Sequence, residues 1–212
     1  FKFSRDQERE ADKLGFASAV AHGYDPNAGA DLWARLKREE DTRKYQRRGV
    51  VFATHPATDE RMSDIRAAAD ALPDPPRERR RDEYRAAMRP FMDRWLAEEL
   101  GRRRYASSLL VIGDLLADAP AEDHGLLAFY LGEAHRRRNA TGDRAKAADL
   151  YARAIALPGA PAATWREHGF ALREAGKKVD AIAALKRYLD LAPQADDRAF
   201  VQRELEKTGE RP

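Results

Sequence analysis

Not one of the 212 residues is a cysteine. That excludes disulfides, thiol catalysis and cysteine-ligated zinc, and it leaves cytoplasm and periplasm equally open. No run approaches the roughly 18 uninterrupted apolar residues that would cross a bilayer, and nothing at the head of the chain reads as a signal peptide. Aromatic residues make up only 8%. Runs of Val, Ile and Thr are nearly absent, so almost no sheet is expected. Neither sign of charge dominates: Lys and Arg number 39 and Asp and Glu 36, for a formal net charge of +3. The surface should therefore be a mosaic of ion pairs, and charge alone does not point to nucleic acid.

What is present is a helix-rich composition, 43% apolar and 35% charged, dominated by Ala, Leu, Arg and Glu as in a soluble helical protein. The length suits one medium domain or two small ones, and two units are expected. The opening Phe1-Lys2-Phe3 has no start methionine and runs straight into a helix cap. It reads as the start of a truncated or processed chain whose targeting signals lie upstream.

Three helical stretches occupy residues 1–72. Ser4 with Gln7 forms a capping-box pattern, and Gly23 ends the helix that it opens. Asp25-Pro26 starts a second helix, predicted to carry Ala28, Leu32, Trp33 and Leu36 inward. A basic connector, Arg43 to Arg48, and the apolar run Val50-Val51-Phe52-Ala53 lead into Thr54-His55-Pro56, where the proline forces His55 into extended backbone. Thr58 caps a third helix with Met62, Ile65, Ala69 and Leu72 on one face. Pro73-Asp74-Pro75-Pro76 and the arginines after it form a linker over 73–83, because such a run neither continues a helix nor buries itself.

Residues 84–212 read as helix pairs at a spacing near the tetratricopeptide period of about 34 residues. Trp165, Gly169, Leu172, Gly176, Ala181, Leu185 and Pro193 fall at offsets that resemble that repeat, with His168 in place of its leucine. Gly169 and Ala181 are the small residues that let paired helices approach closely. An earlier copy holds Leu131-Gly132, Ala147, Tyr151 and Ala154, and a more degenerate one Trp95, Gly101, Ala106 and Leu110. Arg198 to Lys207, with Phe200, Val201 and Leu205, reads as a closing helix.

On the first helix, Glu8 and Asp12 lie one turn apart, on the face that should be buried together with Ala11, Gly15 and Ala19. Burying two carboxylates costs several kcal/mol unless something compensates them. The partner is either an arginine elsewhere in the chain, or a metal for which Glu8 is a ligand and Asp12 supports a neighbouring histidine.

Ser4-Arg5-Asp6-Gln7-Glu8-Arg9-Glu10-Ala11-Asp12, extended by Lys13-Leu14-Gly15, resembles the SR-x-x-E-x-x-A-D signature of metallopeptidase family 48. Gly23-Tyr24-Asp25-Pro26, Thr54-His55-Pro56 and Glu60-Arg61 are similar to its BepA-like branch, which also carries C-terminal tetratricopeptide repeats. The resemblance implies an all-α chain: the C-terminal helices of a zincin-like peptidase domain, then a tetratricopeptide-type solenoid of helical hairpins. It further implies a zinc ion held by two histidines of an HExxH helix and by Glu8, with Asp12 as the supporting aspartate. The HExxH glutamate of the family acts on zinc-bound water as general base. The chain departs from the family here. Its five histidines, His22, His55, His124, His135 and His168, include no HExxH pair, so that motif is expected upstream and this segment alone is predicted to be inactive.

His55 either reaches the open fourth zinc position or a substrate, or merely fixes its own turn by a local hydrogen bond. In the repeat region, Arg89, Trp95, Tyr130, His135 and Arg173 are candidate protein-binding positions on first helices, whereas Trp165 is expected in the core. The basic triplets Arg102 to Arg104 and Arg136 to Arg138 are either solvated helix edges or attractors of acidic client segments. The resemblance thus implies a zinc metalloendopeptidase of the bacterial periplasm or envelope, with the cytoplasm as runner-up compartment. Its repeats would engage client or assembly-machine proteins, possible membrane association would need no transmembrane segment here, and nucleic acid would have no part. The rival reading is a non-enzymatic adaptor or pseudo-peptidase.

Overall fold

The computed structural model describes residues 5–42 and 59–210. Among them are ten α-helices: α1 (Arg5–Ala21), α2 (Ala28–Asp41), α3 (Asp59–Asp70), α4 (Arg81–Gly101), α5 (Tyr105–Ala117), α6 (His124–Arg138), α7 (Asp143–Ala154), α8 (Ala163–Glu174), α9 (Lys178–Leu191) and α10 (Arg198–Glu210). A short 3-10 turn, Ala121–Asp123, precedes α6. No strand occurs among the described residues, as the scarcity of β-branched runs predicts; a single parallel bridge joins Tyr24 and Glu78. The basic connector after α2, Thr58 and the Thr54-His55-Pro56 turn lie outside the described residues.

The helix ends follow local chemistry. Gly23 adopts φ +79°, and the Gly23 and Tyr24 amides donate to the Val20 and Ala19 carbonyls at 2.9 Å each. This is a Schellman stop, which a side chain at Gly23 would strain. Asp25 accepts the Asn27 amide at 2.9 Å and so caps the turn from which α2 rises.

The chain divides into two compact units, Phe1–Pro90 and Phe91–Pro212. The division falls at Pro90, inside α4, where proline has no N–H to give the carbonyl one turn back. The proline run at 73–76 is not the dividing point. The residues after it are tied to the first unit, since the Asp25 amide donates to the Glu78 carbonyl at 2.9 Å and Arg79 pairs with Asp25 at 2.5 Å and Asp31 at 2.9 Å.

Among the described residues of the first unit the buried apolar ones are Pro26, Ala30, Ile65 and Ala69, and two charged residues, Glu8 and Arg61, are buried with them. The inward face of α2 differs from the prediction: Ala30 is its buried residue, Trp33 and Leu36 are half-buried, and Ala28 and Leu32 are exposed. On α1 the buried stripe runs through Glu8 and the half-buried Asp12, Phe16 and Ala19, while Ala11 and Gly15 are exposed. The α3 stripe is Arg61, Ile65 and Ala69, one residue off the predicted Met62 register at its head, because Arg61 turns inward.

In the second unit each helix packs on the next in the chain, α5 on α6, α6 on α7, α7 on α8, α8 on α9 and α9 on α10. Its main core gathers Leu96, Leu100, Ile112, Leu127, Ala128, Phe129, Tyr130, Ala134, Ala147, Tyr151 and Ala154. A smaller cluster, Leu185, Tyr188, Leu189 and Val201, takes Trp165, Phe170 and Leu205 against its edge. Glycine sets the approach of paired helices. A Cβ on Gly132 would stand 2.7 Å from the Tyr151 ring, and one on Gly169 would stand 2.8 Å from the Leu185 side chain. Both lie inside van der Waals contact, so neither glycine is replaceable without moving the facing helix.

Candidate functional site

Glu8 and Asp12 point from α1 toward the head of α3, and Arg61 receives them both. Its Nη1 lies 2.8 Å from Glu8 Oε2 and its Nε 2.6 Å from Asp12 Oδ2, while Nη2 donates to Asp12 Oδ1 at 2.7 Å. The contact with Asp12 is thus a two-pronged fork, the geometry in which guanidinium and carboxylate match best. The Trp33 ring from α2 lies beneath the same guanidinium, 4.6 Å from centroid to Cζ, a cation–π contact that gains strength as water is excluded. The side chains of Arg61 and Glu8 keep only 8% and 9% of their surface. The hydrogen bonding of Arg61 to Asp12 is the main cause that lifts the Arg61 pKa above its ordinary value, against the opposing effect of burial. The guanidinium is therefore a fixed positive charge.

The flanks repeat the theme. Glu60 pairs with Arg9 of α1 and Asp59 with Lys37 of α2. The first three residues of α3 thus each meet an opposite charge on a neighbouring helix, although only Arg61 does so out of water. Exposed pairs of the outer kind contribute about 0–1 kcal/mol each, so the buried triad carries the specificity of this helix arrangement.

Of the two partners open to the acidic pair, the structure supplies the arginine. Among the described residues no group of three or more His, Cys, Asp or Glu side chains is placed to hold a metal ion. The described residues thus bring one candidate ligand, Glu8, to this place, with Arg61 as its partner. His55, the remaining candidate ligand, lies outside the described residues.

Residues 1–69 match the model of Peptidase family M48. The match spans the acidic pair and Arg61 and ends within α3, and it relates that segment to metallopeptidases; peptidases of this family are generally zinc-dependent. No curated protein and no solved structure matches the chain significantly.

In the second unit the five predicted binding positions have these surroundings. Tyr130 is buried and its hydroxyl donates to Asp93 at 2.7 Å. Burial, then the Asp93 carboxylate, pushes that hydroxyl's pKa well above its ordinary value. His135 Nδ1 lies 2.8 Å from Asp143 Oδ1. Asp143 also takes the Arg138 fork at 2.7 and 2.8 Å and the Ala140 amide at 2.8 Å. The Arg138 hydrogen bonds chiefly hold its carboxyl far below the usual range, so His135 and Arg138 close the α6–α7 turn. Arg173 reaches Glu204 at 2.6 Å. Arg89 is exposed. Trp95 is also exposed and stacks on Phe91 with ring centroids 5.5 Å apart. Trp165, expected in the core, is half-buried and packs against the edge of the smaller cluster.

Sequence reading had not singled out the polar ladder that joins successive hairpins. Glu133, buried in α6, accepts both prongs of Arg136 at 2.7 Å, Arg137 at 3.1 Å and the Tyr151 hydroxyl at 2.8 Å. Burial pushes the Glu133 carboxyl up, but the Arg136 hydrogen bonds and charge and the Tyr151 hydroxyl outweigh it and hold the pKa down. Arg136 then reaches Glu167 of α8 at 3.4 Å, and Arg166, 2.7 Å from Glu167, continues to Asp197 and through it to the Tyr188 hydroxyl. Arg173 and Glu204 repeat the Arg136 and Glu167 pair 37 residues further on, the same shift that carries Gly132 onto Gly169. That shift was the signal in the sequence, since charged residues recurring with the packing glycines are neighbours from hairpin to hairpin.

Proposed function

We propose that this chain is the C-terminal part of a zinc metalloendopeptidase, in which Glu8 is the third zinc ligand and Asp12 its support. The two histidines of an HExxH helix would come from residues outside this chain. The family match over residues 1–69, falling on an acidic pair that faces inward from α1, carries the reading. In the intact protein the second unit acts as a tetratricopeptide-type array that holds client or assembly-machine proteins. The hairpins, the close-approach glycines and the 37-residue recurrence of ion pairs support that assignment. The envelope or periplasm is the proposed compartment, by resemblance to the BepA-like branch. Among the described residues no helix is long and apolar enough to cross a membrane.

The test uses a longer polypeptide that includes upstream sequence with an HExxH motif. Zinc content by elemental analysis and cleavage of an unfolded protein are measured for the parent, Glu8→Gln and His55→Ala. Zinc and cleavage should both be lost in Glu8→Gln. Retention of both would end the ligand assignment, and an unchanged His55→Ala would end any role for that histidine at the metal.

The Arg61 triad favours one rival, a non-enzymatic adaptor whose acidic pair is purely structural. In an adaptor Arg61 remains on Glu8 whatever metal is added. In the peptidase the Glu8 contact yields to zinc while the Asp12 fork persists. Chemical shifts of the Arg61 side chain in the longer polypeptide, with and without zinc, separate the two.

A further inference from the structure

A cavity of about 320 Å³ opens beside α10, lined by Arg173, Lys178, Glu204, Lys207 and Thr208. Three cations face one carboxylate in this lining. Glu204 accepts Arg173 Nη1 at 2.6 Å and Lys207 Nζ at 2.8 Å, and these two hydrogen bonds are the main cause that lowers its pKa. The Thr208 hydroxyl donates to the Glu204 carbonyl at 2.7 Å. An ammonium has three donors and a guanidinium five, so Arg173 and Lys207 keep donors that Glu204 does not take. The Phe170 ring holds the Arg173 guanidinium from one side, 5.1 Å from its centroid, and a third of the arginine side chain, 34%, stays open. A cavity rich in donors and poor in acceptors suits a ligand that is all acceptor.

The preceding hairpin shows what such a site looks like when filled. Arg136 has two carboxylates, Glu133 three residues before it and Glu167 on the next first helix. Arg173 has the counterpart of the second in Glu204, but Phe170 stands where the counterpart of Glu133 would be. The last site therefore repeats the earlier one with a carboxylate missing, and it is open to solvent.

We propose that this cavity binds an acidic segment of a partner polypeptide, one of whose side-chain carboxylates takes the Arg173 and Lys207 donors that Glu204 leaves over, as the second carboxylate does at Arg136. The volume is at the small end for ligand pockets, which run from about 300 to 1,000 Å³, and suits a side chain better than a cofactor. A near-balanced net charge of +3 favours a local carboxylate over a nucleic-acid backbone. The inference rests on the partner-binding reading of the second unit and is independent of the metal site.

The test is calorimetric titration of hexaglutamate, acetylated and amidated at its ends, into the 212-residue chain at low ionic strength. Saturable binding is expected. Lys207→Glu, at a side chain 62% exposed, should at least halve the affinity and bring it down by up to about fivefold, the range of one exposed charge pair. Glu204→Gln should tighten binding by freeing Arg173 and Lys207. Lys146→Glu, an exposed lysine on α7, should change nothing. The site is overturned if the parent shows no saturable binding, if Lys146→Glu weakens it as much as Lys207→Glu, or if Glu204→Gln weakens it. An oligothymidylate that binds more tightly than the peptide, with the same variant pattern, would replace the carboxylate by a phosphate backbone. Binding insensitive to all three variants would leave a partner-binding array but remove this cavity from it.

Discussion

The two units bury carboxylates with different partners, one shared and buried arginine in the first and several half-exposed ones in the second. In Phe1–Pro90 the described interior is organised around charge: the Glu8, Asp12 and Arg61 triad beside Trp33, with Ala30, Ile65 and Ala69 as its buried apolar company. In Phe91–Pro212 most of the interior is apolar, and the carboxylates buried in it, Glu133, Asp143 and Glu167, are met by arginines that reach solvent, Arg136, Arg138 and Arg166. Removing Arg61 strands two buried carboxylates, whereas Glu133 is met by Arg136, Arg137 and Tyr151, so that the loss of one leaves the others in place. The first unit should therefore be brittle to single charge changes, and the second brittle to changes of volume.

The largest effect that would break this contrast is at Arg61. Arg61→Ala leaves Glu8 and Asp12 buried without their cation and should cost the first unit about 3–5 kcal/mol, read from urea unfolding followed at Trp33. Arg61→Met combined with Glu8→Gln and Asp12→Asn should recover most of that loss, because a neutral set of similar volume strands no charge. A loss below about 1 kcal/mol for the single change would show that the triad is not central to this unit.

Next in size is Gly169→Ala, which drives a methyl into Leu185 and should cost the second unit about 1–3 kcal/mol, measured by urea unfolding followed at Trp165. If this substitution is silent while Arg173→Ala is severe, the contrast is reversed.

Acid sharpens the comparison further. Glu133, Asp143 and Asp197 all have folded pKa values below their ordinary ones, so the unfolded chain binds protons before the folded one. Their contribution is fully present above the ordinary values of 4.5 for glutamate and 3.8 for aspartate, and it is lost as pH falls below them toward the folded pKa. Urea midpoints of the second unit should be level near neutrality and decline through this acid range, with a shallower decline in Glu133→Gln. A midpoint that rises on acidification would contradict the ladder. The smallest change is expected at the surface: Lys207→Ala should alter stability by no more than about 0.5 kcal/mol, by thermal unfolding, which makes it a clean probe of binding.

Much of the fold was legible because its signals are short-range. The glycine stop at Gly23, the Asp25 turn and the apolar spacing of α3 depend on residues within a turn or two of one another. The inward orientation of Glu8 and Asp12 was equally legible from helical period. Their partner was not, because Arg61 lies 49 residues beyond Asp12 and periodicity does not say which faces of two helices will meet. Leu32 shows the same limit: it sits at a plausible inward position on α2, yet it is 56% exposed.

The sequence by itself determined the helices, their ends, the close-approach glycines Gly132 and Gly169, and an acidic pair that had to be compensated. Only the tertiary structure decided that a guanidinium forked onto Asp12 and resting on Trp33 compensates that pair, that Tyr130 and His135 serve the interior, and that Arg173 opens onto a cavity one carboxylate short. The reason is physical. Helix formation and capping are governed by hydrogen bonds and side-chain contacts within a few residues, whereas ion pairing in a low-dielectric interior depends on distance and desolvation, which only the packed chain sets.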